Sequence, residues 1–362
     1  MSSRDLYFGI TLAPYRVDLC NWLYTRGNCE IFHLEKQPDV PAFDLETLKE
    51  EIVFEYRTYP TVSFCLRSIR LLSSLLDQYQ PRKVYVSEFS ATCILMCLLK
   101  HQKKRSFEVI SFCDDSFDMI AGNDFSLRHR IARRFVPRLV DNLVLNNPET
   151  ARWYRERFGK GICFPIIADE RRFRGKLSQA LSRAETLQDA YGLRDMPVLL
   201  YVGRLIPLKQ VDFILRAYAP LKDMARLVIV GEGECRGELE SMDRKMDLNA
   251  IFTGRKSGED LLAWYALGDI LLLPSRVEAF GAVVNEALMA GMTVLVSDRV
   301  GSRDLITAEN GAVLPAADPA VWTDTLRAMI SGIPPKSKPL ALKACRMPMA
   351  FESVLNDTLA SL

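Results

Sequence analysis

This sequence predicts an α/β protein of two doubly wound, Rossmann-like domains facing a central cleft, and three observations predict it. The chain has 362 residues, too many for one hydrophobic core. Two series of short apolar runs alternate with amphipathic stretches, the pattern of parallel βαβ units. The runs of the second series are followed by Gly, Arg, Lys or Glu, at the strand ends where such sheets bind ligands.

The first series predicts strands at LYFGIT (6–11), CEIFHL (29–34), KVYVSEF (83–89), FEVISFC (107–113) and NLVLN (142–146), with amphipathic helices over 16–26 and 62–79. The pattern then breaks. Residues 168–197 are polar and basic and read as a connection between domains spanning 1–170 and 190–344. The second series runs VLLYVG (198–203), RLVIVG (226–231), AIFTG (250–254), DILLLPS (269–275) and TVLVSD (293–298). Strands this uniformly apolar require a sheet covered on both faces.

Composition narrows the function. The chain is 49% hydrophobic and 25% charged, ordinary for a globular protein. It has no uncharged apolar run near the roughly 18 residues of a membrane span, and its N-terminus lacks a leader pattern, so a cytoplasmic address is expected. Nine cysteines include no Cys-x2-Cys pair, and there are three histidines, so no metal site is expected; Cys93 and Cys97 read as small core residues. Residues 1–190 carry 28 Lys and Arg against 24 Asp and Glu, the remainder 19 against 21. That excludes a nucleic-acid footprint but points the first half at something anionic.

Ligand chemistry concentrates in the second series. Arg204 and Lys209 follow its first strand, placed to converge on phosphate oxygens, although at that spacing they are also compatible with two solvated charges. GEGECRG (231–237) is one residue off a dinucleotide fingerprint and follows the wrong strand, so Gly231 and Gly233 read as a tight turn that lets backbone approach a ligand. In SRVEAFGAVVNEALMAG (275–291), AVVNEALMA is helical in pattern and Gly291 stops it. Glu278 then lies on the preceding loop and Glu286 in the helix's second turn. The amides of Phe280, Gly281 and Ala282 form a helix N-terminus suited to an anion. Two carboxylates beside a phosphate site suit sugar hydroxyls.

These blocks, GRLIPLK, GEGE, FTGR, LLLPSRVEAFGAVVNEALMAGMTVLVSD and NGAVLPAADP, resemble in order and spacing the retaining group 1 (GT4) glycosyltransferases of the GT-B fold, over about residues 198–330. APYRVDLCNWL, NNPETARWYRERFG and PIIADERRF match more loosely, and the tail 345–362 resembles the family's closing helix, which returns to the first domain. The resemblance implies a metal-independent transfer of a hexose from a UDP- or GDP-sugar to a hydroxyl of a glycan or lipid-linked acceptor, in cell-surface polysaccharide synthesis, with no cofactor. It implies that Arg204 and Lys209 bind the pyrophosphate, that Glu286 binds the ribose and that Glu278 holds the hexose. It places the amides of Phe280 and Gly281, with Ala282, at the donor's phosphate and sugar, and Gly254 and Arg255 near the base. The sequence departs from the family in its first loop, TLAPYR, which lacks the usual glycine pair; Arg16 there is a candidate for donor phosphate or acceptor. Asp114 or Asp115 in CDDSFD either orients the acceptor or caps the next helix. Two rival readings are a nucleotide-sugar-binding scaffold without catalysis and an NAD-dependent oxidoreductase; the second needs a glycine fingerprint the chain lacks.

Residues 125–140, FSLRHRIARRFVPRLV, carry Arg128, Arg130, Arg133, Arg134 and Arg138 with no acid. Leu127, Ile131, Phe135 and Leu139 recur every fourth residue. This helix either lies on an anionic membrane surface, at the inner face of the cell membrane, or buries its apolar stripe in the core.

Overall fold

The computed structural model describes residues 3–35, 45–102, 106–122, 126–334, 336 and 339–360. The chain divides into two compact units, one of Met1–Ala168 with Val354–Leu362, the other of Asp169–Ser353.

The first unit holds a seven-stranded parallel sheet. Its strands are β1 (Asp5–Gly9), β2 (Cys29–Leu34), β3 (Arg57–Tyr59), β4 (Lys83–Ser87), β5 (Glu108–Cys113), β6 (Asn142–Leu145) and β7 (Ile162–Cys163), in the order β3-β2-β1-β4-β5-β6-β7. Leu6, Phe8, Val84, Val86, Val109 and Leu143 are buried in one cluster, while Tyr7, Ile31 and Tyr85 are buried as well, so both faces are covered. Phe8 stacks on Phe32 at 5.5 Å and meets the edge of Tyr59 at 5.2 Å. Cys93 and Cys97 belong to this core. The strand order reverses between β1 and β4, so the ends of these two strands flank the crevice of the sheet.

The second unit repeats the plan with six parallel strands: β8 (Val198–Val202), β9 (Arg226–Val230), β10 (Ile251–Gly254), β11 (Ile270–Leu273), β12 (Thr293–Ser297) and β13 (Gly311–Leu314), ordered β10-β9-β8-β11-β12-β13. Every residue of β8 and β11 is buried, as a central strand covered on both sides must be. Here the order reverses between β8 and β11.

Three strands escape the sequence reading: β3, β7 and β13. Each lies at a sheet edge and has two to four residues, too short for a strand pattern to stand out. Residues 168–197, expected as a connection, instead contain two helices, Glu170–Gln179 and Leu181–Ala190. The Asp169 carboxylate caps the first by accepting from the Arg172 amide at 3.1 Å, and Leu177, Ala180 and Ala184 are fully buried. A thin apolar stripe in basic surroundings hid them.

The arginine-rich segment forms a helix, Leu127–Leu139, capped by Ser126; Phe125 lies outside the described residues. Its apolar row is not core. Leu127, Ile131, Phe135 and Leu139 are 68%, 52%, 56% and 38% exposed, and the residues turned inward are Arg133, Val136 and Pro137. Among the described residues, no helix is long and apolar enough to cross a membrane.

Candidate active site

Lys209 and Glu278 lie in the loops leaving β8 and β11, the two strands between which the second sheet reverses. Their side chains form a direct ion pair, with the Lys209 Nζ on Glu278 Oε2, both largely out of solvent. The sequence separates these residues by 69 positions, and the fold joins them. Lys209 ends a short 3-10 turn, Pro207–Lys209, followed by Gln210 in the left-handed region at φ 50°. Burial, helped by the nearby positive charge of Arg204, pushes the Lys209 ammonium down to about 8. Arg204 itself is exposed and has no carboxylate partner among the described residues; its carbonyl accepts from Tyr201 Oη at 2.8 Å.

The Glu278 loop is fixed by backbone. The Glu278 amide donates to Arg299 O at 3.2 Å, Gly301 N donates to Glu278 O at 3.0 Å, and Ser302 N donates to Phe280 O at 2.8 Å. Phe280 is buried and anchors the turn. Gly281 begins the helix Ala282–Met289 at φ 87°, with Leu273, Glu278 and Val300 closing around the place a Cβ would take. A side chain there would strain the backbone and crowd the carboxylate beside it. Val284 N donates to Gly281 O at 3.0 Å, while the Ala282 and Val283 amides before it lack intrahelical acceptors at the helix's positive end.

Glu286, in the second turn as expected, is half-buried. Its Oε2 accepts from Tyr265 Oη at 2.5 Å, leaving Oε1 without a protein partner among the described residues. Burial raises the Glu286 carboxyl above its usual range, and the Tyr265 hydrogen bond partly offsets this. Tyr265 is the site residue that sequence reasoning missed. It lies on the helix Gly258–Leu267, in an apolar run where a tyrosine reads as core, and nothing local links it to Glu286.

The glycine loop after β9 has a packing role. A Cβ on Gly231 would overlap the carbonyl oxygen of Gly203, and one on Gly233 would overlap that of Leu205. Leu205 N donates to Glu232 O at 2.8 Å and Cys235 N to Leu205 O at 3.0 Å, lacing the loop after β8 to the loop after β9. These glycines therefore let two loops touch. Gly254 ends β10 at φ 74°, near the Glu232 carboxylate that pairs with Arg236; Arg255 follows it, exposed.

In the first unit, Arg16 and Asp114 come together across 98 positions, Nη2 to Oδ1 at 2.6 Å. Arg16 is buried between the faces of Phe112 and Tyr15. Glu88, leaving β4 at φ 57°, accepts from the Asp114 amide at 3.0 Å. Burial, then the Asp114 charge, raises its carboxyl to about 7. Asp115 instead ties helices together, accepting from Tyr154 Oη at 2.6 Å and contacting His129 Nε2 at 3.0 Å. Glu88, Cys113 and Asp115 bring metal-ligand atoms within 4.8 Å. Both Asp115 oxygens are already engaged, and burial raises the Cys113 thiol well above its usual range, which disfavours the thiolate a metal requires.

Residues 196–332 match the family described as "Glycosyl transferases group 1". A GDP-mannose-dependent alpha-mannosyltransferase of Mycobacterium tuberculosis is 37% identical over 138 residues, covering 38% of this chain and 35% of that protein. The alpha-D-kanosaminyltransferase of Streptomyces kanamyceticus is 30% identical over 179 residues, 48% and 46% of the two chains. The chain thus spans less than half the length of these curated relatives. Among solved structures, Anabaena HepE in complex with UDP superposes with a TM-score of 0.75 at 15% identity, covering 99% of this chain and 100% of that one. Sucrose-phosphate synthase from Thermosynechococcus elongatus gives 0.67 at 16%, covering 91% and 90%. These likenesses show the GT-B fold, two Rossmann-like parallel-sheet domains. Residues 196–332, the stretch that matches the group 1 glycosyltransferases, contain Lys209, Glu278 and Glu286.

Proposed function

We infer that the protein transfers a hexose, with retention of anomeric configuration, from a nucleoside-diphosphate sugar to a hydroxyl of a glycan or lipid-linked acceptor. The observation that carries this reading is the Lys209–Glu278 pair at the reversal of the second sheet, next to a helix N-terminus. A diphosphate arriving there meets the amides of Gly281 and Ala282, the exposed Arg204 and the Lys209 ammonium, all suited to the charge that grows on the leaving group. Lys209 exchanges its carboxylate for phosphate oxygens, and Glu278 is released to the hexose. Glu286, held by Tyr265, offers Oε1 to the ribose hydroxyls. Gly254 and Arg255 adjoin the base. In the first unit, Arg16 and Asp114 face the acceptor from the ends of β1 and β5. The printed names of the relatives make GDP-mannose the first donor to test and UDP-sugars the second.

Glu286→Ala removes a hydrogen bond between a carboxylate and a sugar hydroxyl, worth roughly 1.5–3 kcal/mol. Calorimetric titration of GDP and UDP is expected to show the preferred nucleotide weakened about 10- to 100-fold. Unchanged affinity in a folded variant removes Glu286 from the ribose.

The lowered Lys209 ammonium gives a pH test. The charged form that binds phosphate persists below about 8 and is lost above it. Diphosphate affinity is therefore expected to fall as pH rises, by up to roughly tenfold per unit beyond that point. Lys209→Arg keeps its charge throughout and should flatten the profile. A flat wild-type profile would place the phosphates elsewhere.

A further inference from the structure

We propose that the first unit carries a binding site for the phosphate of an anionic lipid, built by Arg130, Arg134, Arg138 and Arg157 against Trp153 and Phe158. These residues, with Arg133, line a cavity of about 440 Å³ between the helix Leu127–Leu139 and the helix Pro148–Phe158. Among the described residues, the lining contains no carboxylate. Arg133 is committed to Asp115, with Nε at 3.5 Å from Oδ2, and serves as the inward anchor. The other four are exposed and have no ion-pair partner among the described residues. Two are held in place by aromatic faces: the Arg157 guanidinium lies 4.3 Å from the Trp153 ring centre and that of Arg138 5.0 Å from Phe158. Guanidinium groups positioned in this way, without counter-charge, suit a phosphate, which takes two donors from each fork.

The lipid source follows from the surface beside the cavity. Leu127, Ile131, Phe135 and Leu139 form an exposed apolar row along the same helix, flanked by Arg128, Arg130, Arg134 and Arg138. A soluble phosphate compound leaves that row in water, whereas a bilayer takes the row into its acyl boundary while the arginines reach the headgroups. The position connects with the reaction. His129, in the first turn of the helix, touches Asp115 next to the Arg16–Asp114 pair, so a surface-bound helix points its N-terminus at the proposed acceptor residues. The inference does not rest on the donor assignment, which lies in the other unit.

The test sediments the full chain with phosphatidylcholine vesicles made with and without phosphatidic acid. Binding is expected only with phosphatidic acid, and to weaken as salt rises. R130E/R134E is expected to weaken it at least about 25-fold, roughly fivefold for each arginine. I131S/F135S keeps every charge and is also expected to lose at least about tenfold. Nucleoside diphosphate affinity, read on the same samples, should stay at the wild-type value and shows that the variants fold. Equal binding to neutral vesicles, or wild-type binding by R130E/R134E, overturns the site. Full vesicle binding by I131S/F135S, with complete displacement by inorganic phosphate, assigns the cavity to a soluble phosphate and overturns the lipid. Binding of an RNA homopolymer without vesicle binding overturns it as well. Loss of donor turnover with vesicle binding intact would count against the proposed function alone.

Discussion

Glu278→Gln is expected to lower sugar transfer by about 100- to 1,000-fold while leaving nucleoside diphosphate affinity within a few-fold of wild type. The substitution keeps the shape of the side chain and the backbone that holds it: the amide to Arg299, the carbonyl to Gly301 and the buried Phe280 next door. It removes the negative charge. In the structure that charge pairs with Lys209; in the proposed reaction it faces the hexose, where positive charge appears only as the bond breaks. The loss should therefore fall on turnover. Freed of its carboxylate, Lys209 remains available to phosphate, and diphosphate binding is expected to hold or tighten slightly. Transfer and donor hydrolysis by chromatography, with calorimetry of the diphosphate on the same preparation, separate the two. Turnover within threefold of wild type would remove Glu278 from the reacting centre. Proton NMR of the first product formed should show the donor's anomeric configuration, and an inverted product would reject retention.

The second large effect concerns stability. Asp269 precedes β11 at the sheet end opposite the site. Its side chain is 7% exposed and takes Lys336 Nζ at 2.6 Å, Lys343 Nζ at 2.7 Å and the Val198 amide, where β8 begins, at 2.8 Å. Burial alone would raise this carboxyl, yet the two lysines hold it below its usual value. Asp269→Ala leaves two mostly buried ammonium groups without a counter-charge, which costs about 3–5 kcal/mol. Hydrogen exchange at the amides of β8 and β11 reads this locally, without assuming that the two units unfold together. The sign with pH is set by the shifts. The wild-type contribution is present above the ordinary carboxylate range and is lost as pH falls through the depressed Asp269 value. In the variant the penalty should shrink as pH rises, because burial lowers the Lys343 ammonium and lets it deprotonate. Protection of β8 and β11 unchanged in Asp269→Ala would mean the lysines find other partners.

Much of the fold was legible because its signals are local. Ten of the strands announce themselves as apolar runs, and for the nine inside the two sheets the reason is that a parallel strand covered on both faces needs apolar residues at nearly every position. The helix at Ala282–Met289 is written in a glycine start, an eight-residue apolar pattern and Gly291 at φ 83° after it. The edge strands β3, β7 and β13 were not legible, because a short edge buries too little to demand a pattern; β10, also an edge, was legible through AIFTG. Nor were the helices Glu170–Gln179 and Leu181–Ala190, whose buried stripes are outnumbered by charge.

The class of sheet, the strand ends that carry charge, and the segment that bears Glu278 and Glu286 are written locally, in residues within a turn or two of each other. What each charged group faces depends on contacts between distant parts of the chain. Lys209 meets Glu278 because the loops leaving β8 and β11 adjoin where the strand order reverses. Tyr265 meets Glu286 because two helices pack. Gly231 and Gly233 are spent on loop contact rather than open turns. The helix Leu127–Leu139 has a stripe compatible with either core or surface, and the fold turned it outward because Asp115 claims Arg133 while Val136 and Pro137 fill the inner face. Hydrophobic periodicity says that a helix has an apolar face. Which face the core takes depends on the partners that packing brings to it.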